Sequence, residues 1–296
     1  MSGAPRVVVV GDIATDVLAV YSGQLATGTD TAAAVSLTAG GSAANTAAWL
    51  ASVGVPVTLV GVVGADAAGA QRLAELAEAG VDCAVRLAPG RATGTVVVLS
   101  ESGERTMLCD RGANALLSTV DIDAALDSAA GGVHLHLSGY ALFDEASRVA
   151  GRHALAAARS RGLSTSVDAA SAGPLRRVGA RAFLDWVRGV DLLLANADEA
   201  VALTGSADPE RLAGYARQAI VKRGSEGAGW ATSGAGTRWV AAQPATVRDV
   251  TGAGDAFAAG LLSAWLGGAQ PEEALRAGAR LGARAVSGTG ARPIPD

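Results

Sequence analysis

Short apolar runs alternate along the chain with longer segments that carry apolar residues on one face. The valine run near the start is too short for a helix and is typical of a buried strand. We predict strands at 7–11, 57–64, 132–139, 163–169, 190–196 and 219–222, and helices at 43–53, 66–80, 144–161, 252–266 and 271–286. Strands that alternate with helices in this way predict an α/β fold, with a mainly parallel sheet covered on both faces.

Two regions depart from this alternation. Residues 93–108 contain two β-rich runs around the polar turn ESGE at 101–104, which predicts a hairpin with no helix beside it. Residues 16–38 also have an extended pattern. Two antiparallel segments inserted in this way into the α/β fold predict a small sheet, and so a lid. No stretch resembles a linker, so residues 1–296 are predicted to form one domain, with the lid at about 16–38 and 93–108.

Composition excludes several classes of protein. The formal net charge of −4 argues against a surface that binds nucleic acid through its phosphates. No stretch of 18 apolar, uncharged residues is present, so we expect no membrane span. The spacing of Cys83 and Cys109 matches no zinc or redox motif, and two cysteines do not make a disulfide framework. We therefore expect free thiols in a reducing, cytoplasmic location.

The chain has a single lysine, Lys222, and Arg223 follows it. A Walker A loop needs lysine followed by serine or threonine, and a protein kinase needs an HRD loop, which the sequence lacks. The Gly-x-Gly pairs also lack the third glycine of a dinucleotide-binding fingerprint. The common ways of holding a nucleotide through these motifs are therefore excluded.

A carboxylate stands beside flexible backbone in the stretch DVTGAGDAFAAG, residues 249–260. The apolar run after Asp255 predicts a helix, so Gly252, Ala253 and Gly254 form its first turn or the loop before it. N–H groups in a first turn have no partners within the helix, and the helix dipole adds partial positive charge. Asp255 is therefore a candidate general base beside a loop that can hold an anion. An acid that only stabilises a helix start, with the glycines in a turn, explains the same pattern.

Polar residues also follow other predicted elements, near the sheet edge where α/β folds bind ligands. Asp12 and Asp16, after the first strand, can accept hydrogen bonds from ligand hydroxyls or can simply form a turn. The stretch AGGSAANTAAWLASVG at 39–54 places Ser42, a plausible N-cap, before a helix with Asn45 in or near its first turn. The alternative for this stretch is an ordinary capped helix with a solvated asparagine.

Two more stretches have the same ambiguity. NADE at 196–199 pairs an asparagine with an acid, which suits a shell of water around Mg²⁺, although helix capping explains it too. KRGSEGAG at 222–229 lies between two strand-like runs and can cradle a phosphate or form a hairpin turn. Asp168, at the end of a strand, is a weaker ligand candidate because only its position supports it.

Histidine and arginine supply the remaining candidates. His134 and His136 alternate on one face of a predicted strand, a spacing that permits metal binding. No third ligand lies nearby in the sequence, so buried structural histidines are favoured over a metal hydrolase. Arg105, on the hairpin, is positioned to reach an anionic ligand, with a solvated charge as the alternative.

In combination, these stretches resemble the ribokinase-like carbohydrate kinases, also called the PfkB family. AGGSAANTAAWLASVG is similar to the N-terminal signature of the family, and DVTGAGDAFAAGLLSAWL to its C-terminal signature. Asn196 and Glu199 match the Asn-x-x-Glu motif, and KRGSEGAG resembles the Gly-Ser-x-Gly nucleotide loop. Asp16 matches the acid that closes the first sugar-binding strand. The motifs follow the family order from about residue 6 to residue 293.

The resemblance implies a three-layer α/β/α fold with a mainly parallel central sheet and a small β-sheet lid. It implies an ATP-dependent kinase that uses Mg²⁺ and phosphorylates a hydroxyl of a small sugar or sugar-like compound. Asp255 would be the general base, and the backbone of Gly252, Ala253 and Gly254 the anion hole for the γ-phosphate. The lid is often a dimer contact in this family, which implies a homodimer.

The resemblance also assigns roles to residues in other motifs. The residues implied to hold the sugar are Asp16, Gly41 and Asn45, with Arg105 and Tyr140 as further candidates. Those implied to lie by the nucleotide are Asn196, Glu199, Lys222, Gly224, Ser225 and Gly227, with Glu199 acting on Mg²⁺ through water. A monovalent cation such as K⁺ would be held near the anion hole by Asp249, with Ser287 and Gly290 as partners.

The chain departs from ribokinase around the sugar. Ala14 replaces an asparagine, Ser42 replaces a lysine, and Ser138-Gly139-Tyr140 stands where ribokinase has an acid. Ribose is therefore not implied as the substrate. An aromatic residue there also suits a nucleoside kinase of adenosine or pseudouridine type, whose substrate stacks on a ring. A binding regulator on a kinase scaffold is a second alternative, against which the intact base and anion loop argue.

Overall fold

A computed structural model describes residues 6–101, 104–129 and 132–293, without the side chains of Glu104 and Arg105. The predicted ligand contact of Arg105 therefore lies outside the described residues, and so do residues 102 and 103 of the predicted hairpin turn. The backbone of Arg105 lies in a strand that pairs with the preceding strand, as a hairpin requires.

The strands of the described residues form two sheets. In chain order they are β1 (Arg6–Val10), β2 (Ala14–Tyr21), β3 (Ala33–Gly40), β4 (Val57–Gly64), β5 (Asp82–Ala88), β6 (Gly94–Glu101), β7 (Glu104–Asp110), β8 (Gly132–Ser138), β9 (Ser164–Asp168), β10 (Leu192–Asn196), β11 (Gln218–Lys222), β12 (Ala228–Thr232) and β13 (Thr237–Val240). The large sheet has the order β13-β12-β11-β10-β9-β8-β1-β4-β5. Its strands are parallel from β11 to β5, and β12 and β13 are antiparallel additions at one edge.

Helices cover both faces of the large sheet. They are α1 (Ser42–Ser52), α2 (Ala67–Glu78), α3 (Thr119–Ser128), α4 (Tyr140–Phe143), α5 (Glu145–Ser160), α6 (Ala172–Val178), α7 (Ala180–Trp186), α8 (Ala197–Thr204), α9 (Pro209–Leu212), α10 (Ala253–Leu266) and α11 (Pro271–Ser287). Helices α1, α2, α10 and α11 pack on one face, and α3 to α9 pack on the other.

The first strand shows why this sequence forms a covered sheet. Val7 and Val9 belong to one apolar core, and Val8 and Val10 belong to the core on the opposite face. All four side chains are fully buried. Successive side chains of a strand point to opposite faces, so an unbroken valine run satisfies two apolar cores at once. The predicted α/β class with helices on both faces is confirmed.

The second sheet has the order β3-β2-β6-β7 within the described residues. β2 and β3 form one antiparallel pair, and β6 and β7 form another. The two predicted antiparallel segments are thus present, and β2 and β6 pair in parallel to join them into one sheet. The pattern of each hairpin is local, whereas the pairing that joins the two hairpins depends on where the large sheet places them.

The parallel strands of the large sheet bring several polar residues to one edge. Asp12 follows β1, while Asp168, Asn196 and Lys222 end β9, β10 and β11. Ligands bind beyond the carboxyl ends of strands in open α/β sheets. This edge is therefore where a ligand site is expected.

In the part of the chain that the structure describes, no helix has the length and apolar character needed to cross a membrane.

Candidate active site

A cavity of about 1070 Å³ lies at this edge. One end is lined by Asp12, Asp16 and Asn45 together with side chains of the small sheet, including Val96 and Val98. The other end is lined by residues that follow β10 and β11 and by the faces of α10 and α11. Gly252, Ala253, Gly254 and Asp255 also line the cavity. Asp255 lies between the two sets of residues, because its carboxylate bonds Ser42 and Asn45 and is close to the charges of Asp168 and Lys222. The cavity therefore has room for two small ligands that meet at Asp255.

Helix α1 holds both carboxylate oxygens of Asp255. Ser42 Oγ donates a hydrogen bond to Oδ1 at 2.8 Å, and Asn45 Nδ2 donates one to Oδ2 at 3.0 Å. Asp255 lies in the first turn of α10, and both donors lie in the first turn or so of α1. Two helices that begin at the cavity thus fix the orientation of one carboxylate.

The environment of Asp255 suits a proton acceptor. Burial raises the pKa of Asp255 to about 7, and the negative charge of Asp168 also raises it. The hydrogen bonds from Asn45 and Ser42 and the positive charge of Lys222 act in the opposite direction. A carboxyl group with a pKa near neutrality can take a proton from a hydroxyl more effectively than an ordinary aspartate can.

The start of α10 presents unpaired backbone N–H groups. Gly252 caps the helix with a left-handed φ of 74°, and the N–H of Ala256 returns to its carbonyl at 2.9 Å. Among the described residues, the N–H groups of Gly252, Gly254 and Asp255 have no hydrogen-bond partner. The N–H of Ala253, also predicted for the anion hole, instead donates to Val250 O at 3.3 Å. Three N–H groups of this turn are therefore available to an anion.

The start of α1 differs from its sequence interpretation. The N-cap is Gly41, with φ of 94°, so the interpretation of Ser42 as the N-cap is wrong. A side chain at Gly41 would also meet the backbone of Asp12 at 2.5 Å. The Asp12 carboxylate accepts from the N–H of Ser42 and from Ser138 Oγ, both at 3.0 Å, and so satisfies the helix start from the segment after β1. This capping releases the Ser42 hydroxyl to bond Asp255.

Asp16 lies at the acceptor end of the cavity, the end lined by the small sheet. Its carboxylate accepts no hydrogen bond from another side chain or N–H group in the described ranges. Burial, followed by the nearby charge of Asp12, raises the pKa of Asp16 to about 6. An unpaired carboxylate in a cavity is a suitable acceptor for ligand hydroxyl groups.

Asn196 and Glu199 form a capping box at the start of α8. The Asn196 side chain accepts from the N–H of Glu199 at 2.9 Å, and the Glu199 carboxylate accepts from Asn196 N at 2.8 Å and Nδ2 at 2.7 Å. The capping alternative is thus realised in this structure. Both residues also line the cavity, and burial raises the pKa of Glu199. Each carboxylate oxygen keeps acceptor capacity for a water molecule.

Lys222, at the end of β11, lies near two acids, Asp168 at the end of β9 and Glu199 in α8. Its Nζ contacts Asp168 Oδ2 at 2.6 Å, and the two side chains are 13% and 8% exposed. Burial alone would lower the pKa of Lys222, but the charges of Asp168 and Glu199 raise it. A side chain added at Gly254 would come within 3.3 Å of Lys222 Nζ, so the ammonium group lies next to the turn with the unpaired N–H groups.

The loop after β11 lines the cavity through Gly224, Ser225 and Gly227. Gly227 has φ of 98° and packs against the backbone of Ala241. The neighbouring wall is apolar and consists of Pro244, Val247, Val250, Phe257, Ala283 and Val286. An apolar slot next to a cluster of N–H groups matches the two halves of a nucleotide, its base and its phosphates.

The residues predicted to hold a monovalent cation have protein partners. Asp249 Oδ1 accepts from the N–H and the hydroxyl of Thr251 at 2.9 Å and 2.6 Å, and Oδ2 accepts from Gly290 N at 3.0 Å. The Ser287 hydroxyl donates to Ala283 O within its own helix at 2.9 Å. Asp249 therefore fixes the loop before α10 to the C-terminal segment, and the cation site stays a prediction.

Tyr140 lines the cavity beside an arginine that the sequence interpretation did not single out. Arg111 lies over the Tyr140 ring, 5.5 Å from its centre, and pairs with Asp144 at 2.9 Å. The rings of Tyr140 and Phe143 are in T-shaped contact. Burial raises the pKa of the Tyr140 phenol, so it stays neutral. Arg111 brings a positive charge to a cavity end that otherwise holds carboxylates.

The two paired histidines have a structural role. His134 bonds Ser164 and Ser166 at 2.8 Å and 2.7 Å, and His136 bonds Ser166 at 2.7 Å. Both rings are buried, and burial lowers their pKa to about 3 and about 4, so they are neutral. In the described part of the chain, no group of three or more histidine, cysteine, aspartate or glutamate side chains could hold a metal ion. Metal hydrolysis through these histidines is therefore not supported.

Comparisons with known proteins identify the family of the chain. The family model described as pfkB family carbohydrate kinase matches residues 4–296. An ATP-dependent ribose-1-phosphate kinase of Halopiger xanaduensis is 33% identical over 86% of this chain and 83% of its own length. The adenosine kinase structure from Sinorhizobium meliloti is 25% identical, has a TM-score of 0.87, and matches 99% of this chain and 97% of its own. An E. coli structure in complex with ATP and Mg²⁺ is 25% identical, has a TM-score of 0.84, and matches 97% and 94%. The chain belongs to the PfkB family of carbohydrate kinases, which transfer a phosphoryl group to an alcohol.

Proposed function

We propose that the chain transfers the γ-phosphate of ATP to a hydroxyl of a small sugar or sugar-like compound, with Asp255 as the general base. The observation that carries the proposal is the position of Asp255. It is held by Ser42 and Asn45 beside three unpaired N–H groups, at the point where the two ends of the cavity meet. Such an arrangement places a proton acceptor next to a site for developing negative charge.

In the proposed reaction, Asp255 takes the proton of the acceptor hydroxyl as its oxygen attacks the γ-phosphorus. A new O–P bond forms, the bond from the γ-phosphorus to the bridging oxygen breaks, and ADP leaves with the electron pair. The N–H groups of Gly252, Gly254 and Asp255 hold the oxygens of the transferring group. Lys222, next to Gly254, adds positive charge there. Asp255 afterwards returns its proton to solvent.

Mg²⁺ fits the phosphate end of the cavity through water. Glu199 would hold the ion, and Asp168 lies nearby. Two carboxylates are too few to coordinate Mg²⁺ with protein ligands alone. Mg²⁺ in such sites keeps several waters and is completed by substrate phosphates. When bound, it would neutralise charge on the β- and γ-phosphates. The capping box of Asn196 and Glu199 keeps the carboxylate in place for this task.

The acceptor end supports a polyhydroxyl substrate. Asp16 is an unpaired carboxylate that can accept from sugar hydroxyls, and Asn45 and the backbone at Gly41 lie beside it. A nucleoside is the alternative acceptor, supported by the Tyr140 ring in the cavity wall and by the likeness to an adenosine kinase. Arg111 covers part of that ring, which leaves less of its face for a base.

A substrate panel tests the function and separates its alternatives. ADP release would be measured with ribose, fructose, ribose 1-phosphate, 2-keto-3-deoxygluconate, adenosine and pseudouridine. We expect turnover with at least one of the sugars or sugar derivatives and little with the nucleosides. Turnover with the nucleosides alone would mean that the acceptor substrate is a nucleoside and not a sugar. Ligand binding without ADP release from any compound would overturn the kinase proposal in favour of a binding regulator.

The pH dependence of turnover follows from the pKa of Asp255. The general base must be deprotonated to accept a proton, and its pKa is raised to about 7. We therefore expect kcat/KM to rise with pH and to reach half of its plateau near pH 7. Initial rates between pH 5.5 and pH 8.5, with the pH stability of the enzyme checked, measure this. A flat profile across that range would contradict a base with a raised pKa.

Gly252→Ala tests the anion hole. Gly252 has a left-handed φ, and a side chain there would collide with the backbone of Ala291. We expect turnover to fall about tenfold or more because the turn must move and displace its N–H groups. Gly268→Ala is the matched control, since Gly268 has φ of 87° just past the other end of α10 with open space around it. Equal turnover by the two variants would remove the anion-hole role of this turn.

The small sheet is our proposed dimer contact. Its strands β3 and β7 expose Val35, Leu37 and Leu108, which are 57–70% accessible to solvent. A second copy would bury such side chains. We expect sedimentation to show a dimer that Leu37→Glu dissociates and that Val120→Glu, an exposed change on α3, leaves intact. A wild-type monomer at micromolar concentration would contradict the proposal.

A further inference from the structure

Arg292, in the segment after α11, reaches the helix that holds the general base. Its Nε donates to Asn45 Oδ1 at 3.3 Å, and its Nη2 donates to Gly40 O at 3.1 Å. The side chain is 10% exposed, and Arg292 does not line the cavity. Arg292 therefore lies outside the cavity and contacts Asn45, which lines it.

The contact with Arg292 sets which way the Asn45 amide faces. With Oδ1 accepting from the guanidinium, Nδ2 is directed to Asp255 Oδ2 at 3.0 Å. The reversed amide would place its NH₂ group against Arg292 and its oxygen against the carboxylate. Both contacts would then be repulsive, since a guanidinium only donates and an ionised carboxylate only accepts. Arg292 thus selects the amide orientation in which Asn45 bonds the base.

The backbone beside Arg292 is bonded to α1 and to the segment that begins α10. Trp49 Nε1, on α1, donates to Ala291 O at 3.0 Å. Ala291 also packs against Gly252, the residue that caps α10, and Gly290 N donates to Asp249. The C-terminal segment therefore carries Arg292 on a backbone that is already aligned with α1 and with the anion turn.

The other contacts of Arg292 extend to the small sheet. Gly40 ends β3, and Thr38, two residues earlier, accepts from Arg72 Nη1 at 2.9 Å. Glu75 lies between the two arginines, 2.6 Å from Arg72 and 3.7 Å from Arg292. Two buried arginines thus hold alternate carbonyls at the end of β3. Only Arg292 also contacts Asn45.

We propose that Arg292 is a positioning residue for phosphoryl transfer, which acts through the Asn45 amide to orient the Asp255 carboxylate and ties this orientation to the end of β3. The inference rests on the proposed function, because it takes Asp255 to be the general base. It is not a contact with substrate. It explains why a buried arginine of the C-terminal segment contacts both the Asn45 amide of α1 and the end of β3.

The expected direction of a pH effect follows from the groups that face Asp255. These are Ser42 and Asn45 on α1, Asp168 at the end of β9, Lys222 at the end of β11, and Tyr140 on α4. The Asn45 hydrogen bond stabilises the charged form of Asp255 and lowers its pKa. Loss of that bond therefore raises the pKa, and the acid limb of the activity profile moves to higher pH.

Arg292→Gln tests the proposal. We expect kcat to fall about 10- to 100-fold, because small misplacements of a catalytic group have effects of this size. The KM for ATP should change little, and the acid limb of kcat/KM should move to higher pH. Arg292→Lys, which can donate to Asn45 or to Gly40, should recover part of kcat. Arg72→Gln is the matched control, since it removes the contact with Thr38 and leaves Asn45 alone.

A double variant shows whether Arg292 acts through Asn45. In the Asn45→Ala background, Arg292→Gln should move the acid limb no further. The proposal is overturned if Arg292→Gln only lowers the thermal midpoint, as Arg72→Gln should. It is also overturned if Arg292→Gln and Asn45→Ala shift the acid limb of kcat/KM independently. If Arg292→Gln fails to fold, Arg292→Lys is measured instead, and the same results for kcat and for the acid limb support or overturn the proposal. Absence of ATP-dependent turnover in the wild type overturns the proposed function instead, which distinguishes the two failures.

Discussion

Two hydrogen bonds across the start of two helices organise the active site. Ser42 and Asn45 of α1 donate to the two oxygens of Asp255 on α10, and the rest of the site is arranged around this contact. It requires Gly41 as the N-cap of α1, and Asp12, which follows β1, accepts from the first N–H of this helix. It also requires α10 to begin at Gly252, whose left-handed backbone leaves three N–H groups unpaired. The proposed base and the proposed anion site are therefore consequences of the same geometry.

This geometry lowers stability in return for reactivity. Burial raises the pKa of Asp255 to about 7 and that of Asp16 to about 6, from 3.8 for an unperturbed aspartate. Between about pH 4 and pH 7 the folded protein therefore holds protons that the unfolded chain has released. The contribution of these two groups to the free energy of unfolding falls as the pH rises through this window. Active sites commonly keep such unfavourable burial because function depends on it.

The sequence predicted the fold well where the signal was local. The valine run of β1 and the leucine run of β10 identify buried strands, and glycines mark where helices end. β5 was missed because its polar and apolar residues are mixed, as Arg86 in its middle shows. The parallel pairing of β2 with β6 joins residues about 80 positions apart, such as Ala14 and Gly94, and no local pattern reports it.

The sequence predicted the residues of the candidate site only where they belong to a recognisable motif. The structure gathers Asp255, Asn45, Asp16 and Lys222 around one cavity, as their motifs led us to expect, while their individual roles remain proposals. The Ser42 hydroxyl was assigned to a local cap because its contact with Asp255 spans 213 positions. Arg292 stands in a segment without a recognisable pattern, and its contact with Asn45 spans 247 positions. Long-range polar contacts of this kind leave no trace in hydrophobic periodicity.

The most direct test of the account is transfer of labelled phosphate from [γ-³²P]ATP to the acceptor by the wild type and by Asp255→Asn, with ATP binding measured in parallel. The account predicts labelled sugar phosphate from the wild type, a loss of about 10²- to 10⁴-fold in the variant, and similar ATP affinity in both. Labelled product at the wild-type rate from Asp255→Asn would contradict it.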